Sequence, residues 1–314
     1  INFVIKDTTA TDNYVLTVDA NGEAGWEAAA AAGATDINGL SDALVENNSI
    51  FLGNDPSGTT STASNNVAVG TTALDSITTG DSNVAVGYNS ATALTTGEFN
   101  TAVGNTSLLS LTTGTLNVAI GSDAGQKITT GYGNICVGDG AGYDITDGNK
   151  NIMIGRYSGH TGSDFTGSNN IVMGYLADAS SQTVSNEITL GDGNISSLRC
   201  QVQTISSLSD RRDKKNIEEL PLGIDFINTL KPVKFTWNMR DGAKVGQQEA
   251  GFIAQDLDEA QIDAGAEDYL SLVLKNNPEK LEASYGKLVP VLVKAVQELS
   301  NEIEKLKKEI KNGR

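Results

Sequence analysis

Glycine recurs at Gly53, Gly70, Gly87, Gly104, Gly121, Gly138 and Gly155, seventeen residues apart each time, and again at Gly174 and Gly191 after a two-residue insertion. Nine copies at nearly one period define a repeat architecture before any residue propensity is consulted. Most of these glycines close a short apolar run: Asn66-Val67-Ala68-Val69, Asn83-Val84-Ala85-Val86, Asn117-Val118-Ala119-Ile120, Asn151-Ile152-Met153-Ile154. A second phase of the same period places Thr-Thr-Gly at Gly80, Gly97, Gly114 and Gly131, with Thr146-Asp147-Gly148 following. A β-prone run ending in glycine, with another turn about ten residues later, describes one coil of a β-solenoid; the glycines serve its corners and the asparagines suit turn or ladder positions. Strand alternation puts Val67 and Val69 on one side and Ala68 on the other. The smaller side is expected to be where three chains approach one another.

One such coil buries too little apolar surface to offset the entropy of ordering it, so stacking and contacts with other copies must supply the difference. Bringing several chains into register is the slow step, because slipping by one period sacrifices only an end coil. The repeat resembles the left-handed β-roll heads of trimeric adhesins and the shafts of phage fibres.

The repeat occupies residues 49–191, behind a lead-in at 1–48. Tyr14 to Gly22 alternates apolar and polar residues before an Asn-Gly turn, as a strand entering a hairpin would. Ala28–Ala32 reads as a small-residue linker with helical propensity, and Ile37–Val45 as one short helix. The chain opens at Ile1, which is expected of a fragment. Residues 192–208 break the repeat and connect to a different kind of sequence.

Charge divides at the same place. Residues 1–208 hold 5 basic and 20 acidic residues, and 209–314 hold 17 and 19, giving −15 and −2 of the net −17. An acidic repeat without clustered Lys or Arg is a poor partner for nucleic acid, and the sequence has no apolar run long enough for a membrane span. Cys136 and Cys200 lack ligand spacing and read as small apolar fillers, so no metal, disulfide or other cofactor is expected. His160, the only histidine, falls in the irregular stretch 157–168 and reads as a loop residue. Asp75, Asp81, Asp123, Asp139 and Asp147 read as solvated corners, and Asp192-Gly193-Asn194 as a turn.

After the repeat comes Ser209-Asp210-Arg211-Arg212-Asp213-Lys214-Lys215-Asn216-Ile217. A serine hydroxyl is a weak nucleophile until a base takes its proton, and a lysine does so only if burial or nearby cations lower its pKa from about 10.4 to roughly 7–8. Arg211, Arg212 and Lys215 are expected to provide that field around Lys214. Read alone, the segment equally describes a solvated turn. Gly223–Leu230 reads as a short helix, Val233–Trp237 and Gly251–Ala254 as strands, and Gln255–Ala260 as a helical turn or two, together a small α+β unit. Val289, Leu292, Val296, Leu299, Ile303, Leu306 and Ile310 alternate spacings of three and four, the seam of a coiled coil over about 289–311. β-branched residues at a and leucine at d favour a dimer by the standard rule.

The spacing of Ser209, Asp210, Arg212, Lys214 and Ile217 resembles the start of the endosialidase-type intramolecular chaperone of phage tail spikes and fibres. Leu230 to Trp237, Gly251 to Asp256, and Tyr285 to Leu299 follow in that family's order. The resemblance implies a homotrimeric fibre whose C-terminal domain, 209–314, drives trimerisation, overriding the coil's dimer preference. It further implies self-cleavage between Leu208 and Ser209, with Ser209 as nucleophile, Lys214 as general base, and Asp210 and Arg212 positioning the loop. On this reading the protein is a virion component assembled in the host cytoplasm, its chaperone domain released after cutting, and its outer partner a host-surface receptor or glycan. The alternative is a trimeric structural adhesin that does not cut itself. A hydrolase acting on an external polymer would need paired carboxylates in a cleft, which the repeat's corner aspartates do not suggest.

Overall fold

The computed structural model describes residues 14–18, 24–28, 43–54, 56–195, 197–199, 201, 207–240, 242 and 244–313. The chain forms a β-solenoid of about eight coils, a small C-terminal domain and a long terminal helix. Contacts divide it into two compact units, residues 1–166 and 167–314.

In the first unit, strands β1 (Tyr14–Val18) and β2 (Ala24–Ala28) form the expected antiparallel hairpin. Strand β3 (Ala43–Glu46) pairs antiparallel with β4 (Ser49–Leu52). Asn47 and Asn48 make the turn between them with φ of +47° and +60°, the mirror-image geometry that matches strand twist. Residues 43–45, expected to end a helix, are therefore in a strand: the edge of β4 offers them a ladder of hydrogen bonds. Residues 37–42 of that expected helix, and 29–32 of the expected linker, lie outside the described residues, while Ala28 closes β2.

From β4 onward each coil contributes one three-residue strand, paired in parallel and in register with the one before: β5 (Val67–Val69), β6 (Val84–Val86), β7 (Thr101–Val103), β8 (Val118–Ile120), β9 (Ile135–Val137) and β10 (Ile152–Ile154). The middle residue of each strand points inward: Ala68, Ala85, Ala102, Ala119, Cys136 and Met153 are fully buried. Across the interior stands a second ladder of Ile77, Leu94, Leu111, Ile128 and Ile145, also fully buried. The small side of the strand is thus the coil's own core, and the expectation that chains meet there is corrected. From Ala68 to Cys136 the strand supplies a small row opposite the large one and turns residues such as Val67 and Val69 outward, while Phe51 and Met153 bring larger side chains inward on either side of that run.

Buried asparagines tie the coils together. The backbone N–H of Asn83 donates to Asn66 Oδ1 at 2.9 Å and its Nδ2 donates to the same oxygen at 3.1 Å; its Nδ2 also reaches the Gly97 carbonyl at 2.9 Å. Asn100, Asn117 and Asn134 repeat this pattern. Every polar atom of the amide is satisfied where water cannot reach it. Ser49 Oγ accepts from Asn66 N–H at 2.9 Å and so starts the ladder. Glycine at the corner is a steric demand: a Cβ on Gly104, at φ +139°, would stand 2.2 Å from the Gly121 carbonyl oxygen.

The second unit begins with β11 (Ile171–Met173) and β12 (Ile188–Leu190), again parallel. Glu187 takes the asparagine's place there: its N–H donates to Asn170 Oδ1, while its carboxylate accepts from Ser180 N–H at 2.7 Å. Asp192 and Asn194 form the expected turn, Asn194 N–H donating to Asp192 Oδ1. The C-terminal domain follows with α1 (Ile224–Thr229), the hairpin β13 (Val233–Thr236) and β14 (Gln248–Gly251), α2 (Ala254–Asp263), α3 (Glu267–Leu270), the short pair β15 (Val273–Leu274) and β16 (Glu282–Ala283), and α4 (Val289–Asn312). The strand expected at 251–254 lies three residues earlier, because Ala254 already begins α2. Leu222, Phe226, Leu257, Leu270, Leu288 and Val291 form the core.

Candidate active site

Asp210 begins the local structure around Ser209. In extended conformation it caps a single 3-10 turn, Arg211–Asp213, its Oδ1 accepting from Arg212 N–H at 2.9 Å. The Arg212 side chain folds back onto the same carboxylate, Nε donating to both oxygens at 3.1 Å and a terminal nitrogen to Oδ2 at 2.6 Å. This clamp holds the Asp210 carboxyl below the usual carboxylate range and raises Arg212 in turn. Lys214 N–H closes the turn on the Arg211 carbonyl at 3.2 Å and the chain leaves in extended conformation. The turn thereby doubles the chain back, and Lys214 Nζ donates to Ser209 Oγ at 2.6 Å.

All four residues expected at the site are therefore together, in two pairs: Ser209 with Lys214, and Asp210 with Arg212. The field expected from three cations is reduced, since Arg212 is neutralised by Asp210. Leu208 is 84 % exposed, and Ser209 and Lys214 are exposed as well. Such a pair sets an amine within reach of the serine hydroxyl proton, the arrangement that a serine nucleophile with a lysine base requires.

The helices downstream show two faces of different use. On α4, Val291 and Ala295 are buried, and Glu298 one turn further on accepts from Ile224 N–H at 2.8 Å, joining α4 to the start of α1. Gly223 leaves room for it, since a Cβ there would overlap the Glu298 carboxylate and displace that side chain from Ile224. Lys294, between Glu219 and Glu298, adds an ion pair that sequence reading did not find; its partners are about 75 residues apart in one case and one helical turn in the other. The heptad seam lies on the other face. Val289, Leu292, Val296, Leu299, Ile303, Leu306 and Ile310 are all exposed, between 43 and 68 %.

Elsewhere, Asp144 is a buried carboxylate the sequence did not single out. Lys127 Nζ at 2.8 Å, Gly162 N–H at 2.8 Å and His160 Nδ1 at 3.0 Å surround it, and the hydrogen bond to Asp144 raises the Lys127 pKa. His160 is a loop residue as expected, and the Gly162 N–H bond to Asp144 ties that loop to the coil. The corner aspartates also bridge coils rather than merely facing water: Asp81 accepts from Ser64 N–H at 2.7 Å and Asp139 pairs with Arg156 at 2.9 Å. Among the described residues no three His, Cys, Asp or Glu side chains gather as a metal site, and no helix is long and apolar enough to cross a membrane. Cys136 is buried and free; Cys200 lies outside the described residues.

Residues 209–266 match the family model described as the chaperone of endosialidase. The match opens on the serine of the pair described above and closes just before α3, so α4 lies beyond it. No curated protein and no solved structure matches the chain. A β-solenoid followed by an endosialidase-type chaperone segment fits a phage tail fibre.

Proposed function

We propose that this chain, with its endosialidase-type chaperone segment, belongs to a homotrimeric phage tail fibre or spike, and that residues 209–314 direct trimerisation and folding and then detach by cutting the Leu208–Ser209 bond. The observation that carries the cutting is the 2.6 Å approach of Lys214 Nζ to Ser209 Oγ at the first residue of the matched segment. In the reaction Ser209 Oγ attacks the Leu208 carbonyl carbon while Lys214 takes the hydroxyl proton. The Leu208 C–Ser209 N bond breaks, Lys214 returns the proton to the departing amine, and an ester joins Leu208 to Ser209 Oγ. Water then hydrolyses that ester. The scissile bond is attached to its own nucleophile, so no binding step is needed and proximity supplies much of the acceleration.

Exposure of the pair in a single chain ties the timing to assembly. A neighbouring copy that covers Ser209 and Lys214 would remove water, bring the lysine into range as a base, and make cleavage a report of completed trimerisation. Loss of the template after folding leaves the shaft kinetically trapped in its assembled form. Trimerisation itself is supported by the exposed α4 seam. The fibre would be assembled in the host cytoplasm and carried on the virion, where it would meet a host-surface receptor or glycan.

The same exposure favours a second reading, a trimeric structural adhesin or receptor-binding fibre whose terminal domain assembles and stays attached. Denatured mass of the expressed chain separates them, measured beside Ser209→Ala and Lys214→Ala. Two fragments meeting at Leu208–Ser209 in the wild type, with both variants intact, support the dyad. An intact wild type that runs as a trimer leaves the adhesin.

A further inference from the structure

Each strand turns its middle residue inward and leaves the two residues beside it on the outer face. From β4 to β10 the two outward positions of each strand are aliphatic in every case except Thr101, and none carries a charge. Seven strands at about 4.8 Å spacing and three residues wide give a strip roughly 29 Å by 10 Å, or about 300 Å², already the size at which an apolar patch on a soluble chain marks an association site. At the corner leading into the strand, Phe99 and Leu116 sit in the left-handed region, at φ +57° and +60°, and are 54 and 58 % exposed. The equivalent corners of other coils use Asn65, Ser82, Gly133 and Lys150. A large apolar side chain held at positive φ and left in water is unfavourable twice over, and both costs make sense if the corner is covered.

We infer that this outward strand face is the surface along which copies of the chain pack against one another in the shaft. The occupant is a second copy for two reasons. Residues 1–208 carry a net −15, so two shafts repel unless they meet along a charge-free strip, and this face is one. The outward residues also recur once per coil in exact strand register, so another copy of the same solenoid meets them with the same pitch over the whole length, whereas a partner of any other periodicity falls out of step within a few coils. The surface presupposes the homotrimer proposed above and assigns it a shaft contact separate from the α4 seam.

Single cysteines at Val103→Cys and Val86→Cys on the face, and Ser110→Cys on the return segment of the same coil, test it in the full chain with Cys200→Ser; Cys136 is buried and does not compete. A short-spacer bismaleimide is added and the denatured products are separated, with light scattering run on the same samples. Chains that are multimeric and cross-link at least tenfold better through Val103→Cys and Val86→Cys than through Ser110→Cys support the face. Multimeric chains that cross-link no better through the two face positions overturn it while leaving the homotrimer standing. Monomeric chains overturn both.

Discussion

Met153 and Gly159 share one space inside their coil: a Cβ on Gly159 would lie 2.6 Å from the Met153 sulfur. The same trade occurs one coil earlier, where a Cβ on Gly142 would lie 2.5 Å from Cys136 Sγ. Where the strand residue is alanine, the facing position is Leu74, Ala91, Leu108 or Gly125, at φ of +53°, +49°, +50° and +58°. Side chains are thus accepted there at positive φ, and both enlarged strand residues, Cys136 and Met153, face glycine.

Gly159→Ala alone is expected to destabilise the shaft by about 1–3 kcal/mol through overpacking, and Met153→Ala by about 2–5 kcal/mol through a cavity. Together they should cost clearly less than the sum. Denaturant unfolding of the four species of this cycle measures the coupling; strict additivity would remove the shared-space account.

Asn100→Ala takes the acceptor from both Asn117 donors and the donor from the Gly114 carbonyl, all buried. At about 1–3 kcal/mol for each buried group left unsatisfied, it should exceed Ser49→Ala, which removes one acceptor at the end of the ladder. Equal losses in chemical unfolding would show that the rungs are not cooperative.

Burial pushes the Cys136 thiol from 9.0 up to about 12. In the unfolded chain the thiol ionises first, so the folded state is favoured fully below about pH 9 and loses stability as pH rises from there toward 12. In a Cys200→Ser background, alkylation of Cys136 at pH 8 should proceed only at the rate of unfolding. Rapid labelling of the native chain would contradict the buried placement.

Asp210→Asn weakens the clamp on Arg212 and with it the turn that returns Lys214 to Ser209. Self-cleavage should slow while trimer formation is unchanged, a split visible by following denatured mass and native mass on the same sample over time. Loss of both together would mean that the turn serves assembly rather than positioning.

Ile303→Asp with Leu306→Asp places charges on the exposed seam and leaves the buried face at Val291 and Ala295 untouched. Circular dichroism of the variant should show the domain still folded, and light scattering should show fewer associated chains. A variant that associates as well as the wild type would mean that the seam has no partner.

The primary structure alone determined the period, the glycine corners, the parallel coil, the heptad seam and the segment that unites Ser209 with Lys214, because each is a local rule repeated at a fixed spacing. Tertiary structure decided which side of each strand faces in. Val-Ala-Val alternates equally well with either side buried, and only packing against the facing ladder of Ile77, Leu94, Leu111 and Ile128 settles it in favour of alanine. The pairing of Gly159 with Met153, the Asp144 cluster, and the join of Glu298 to Ile224 were likewise decided by folding. The first two use side chains that most coils do not carry at those positions, and the third joins residues 74 apart, so nothing in the local pattern announces that they will meet.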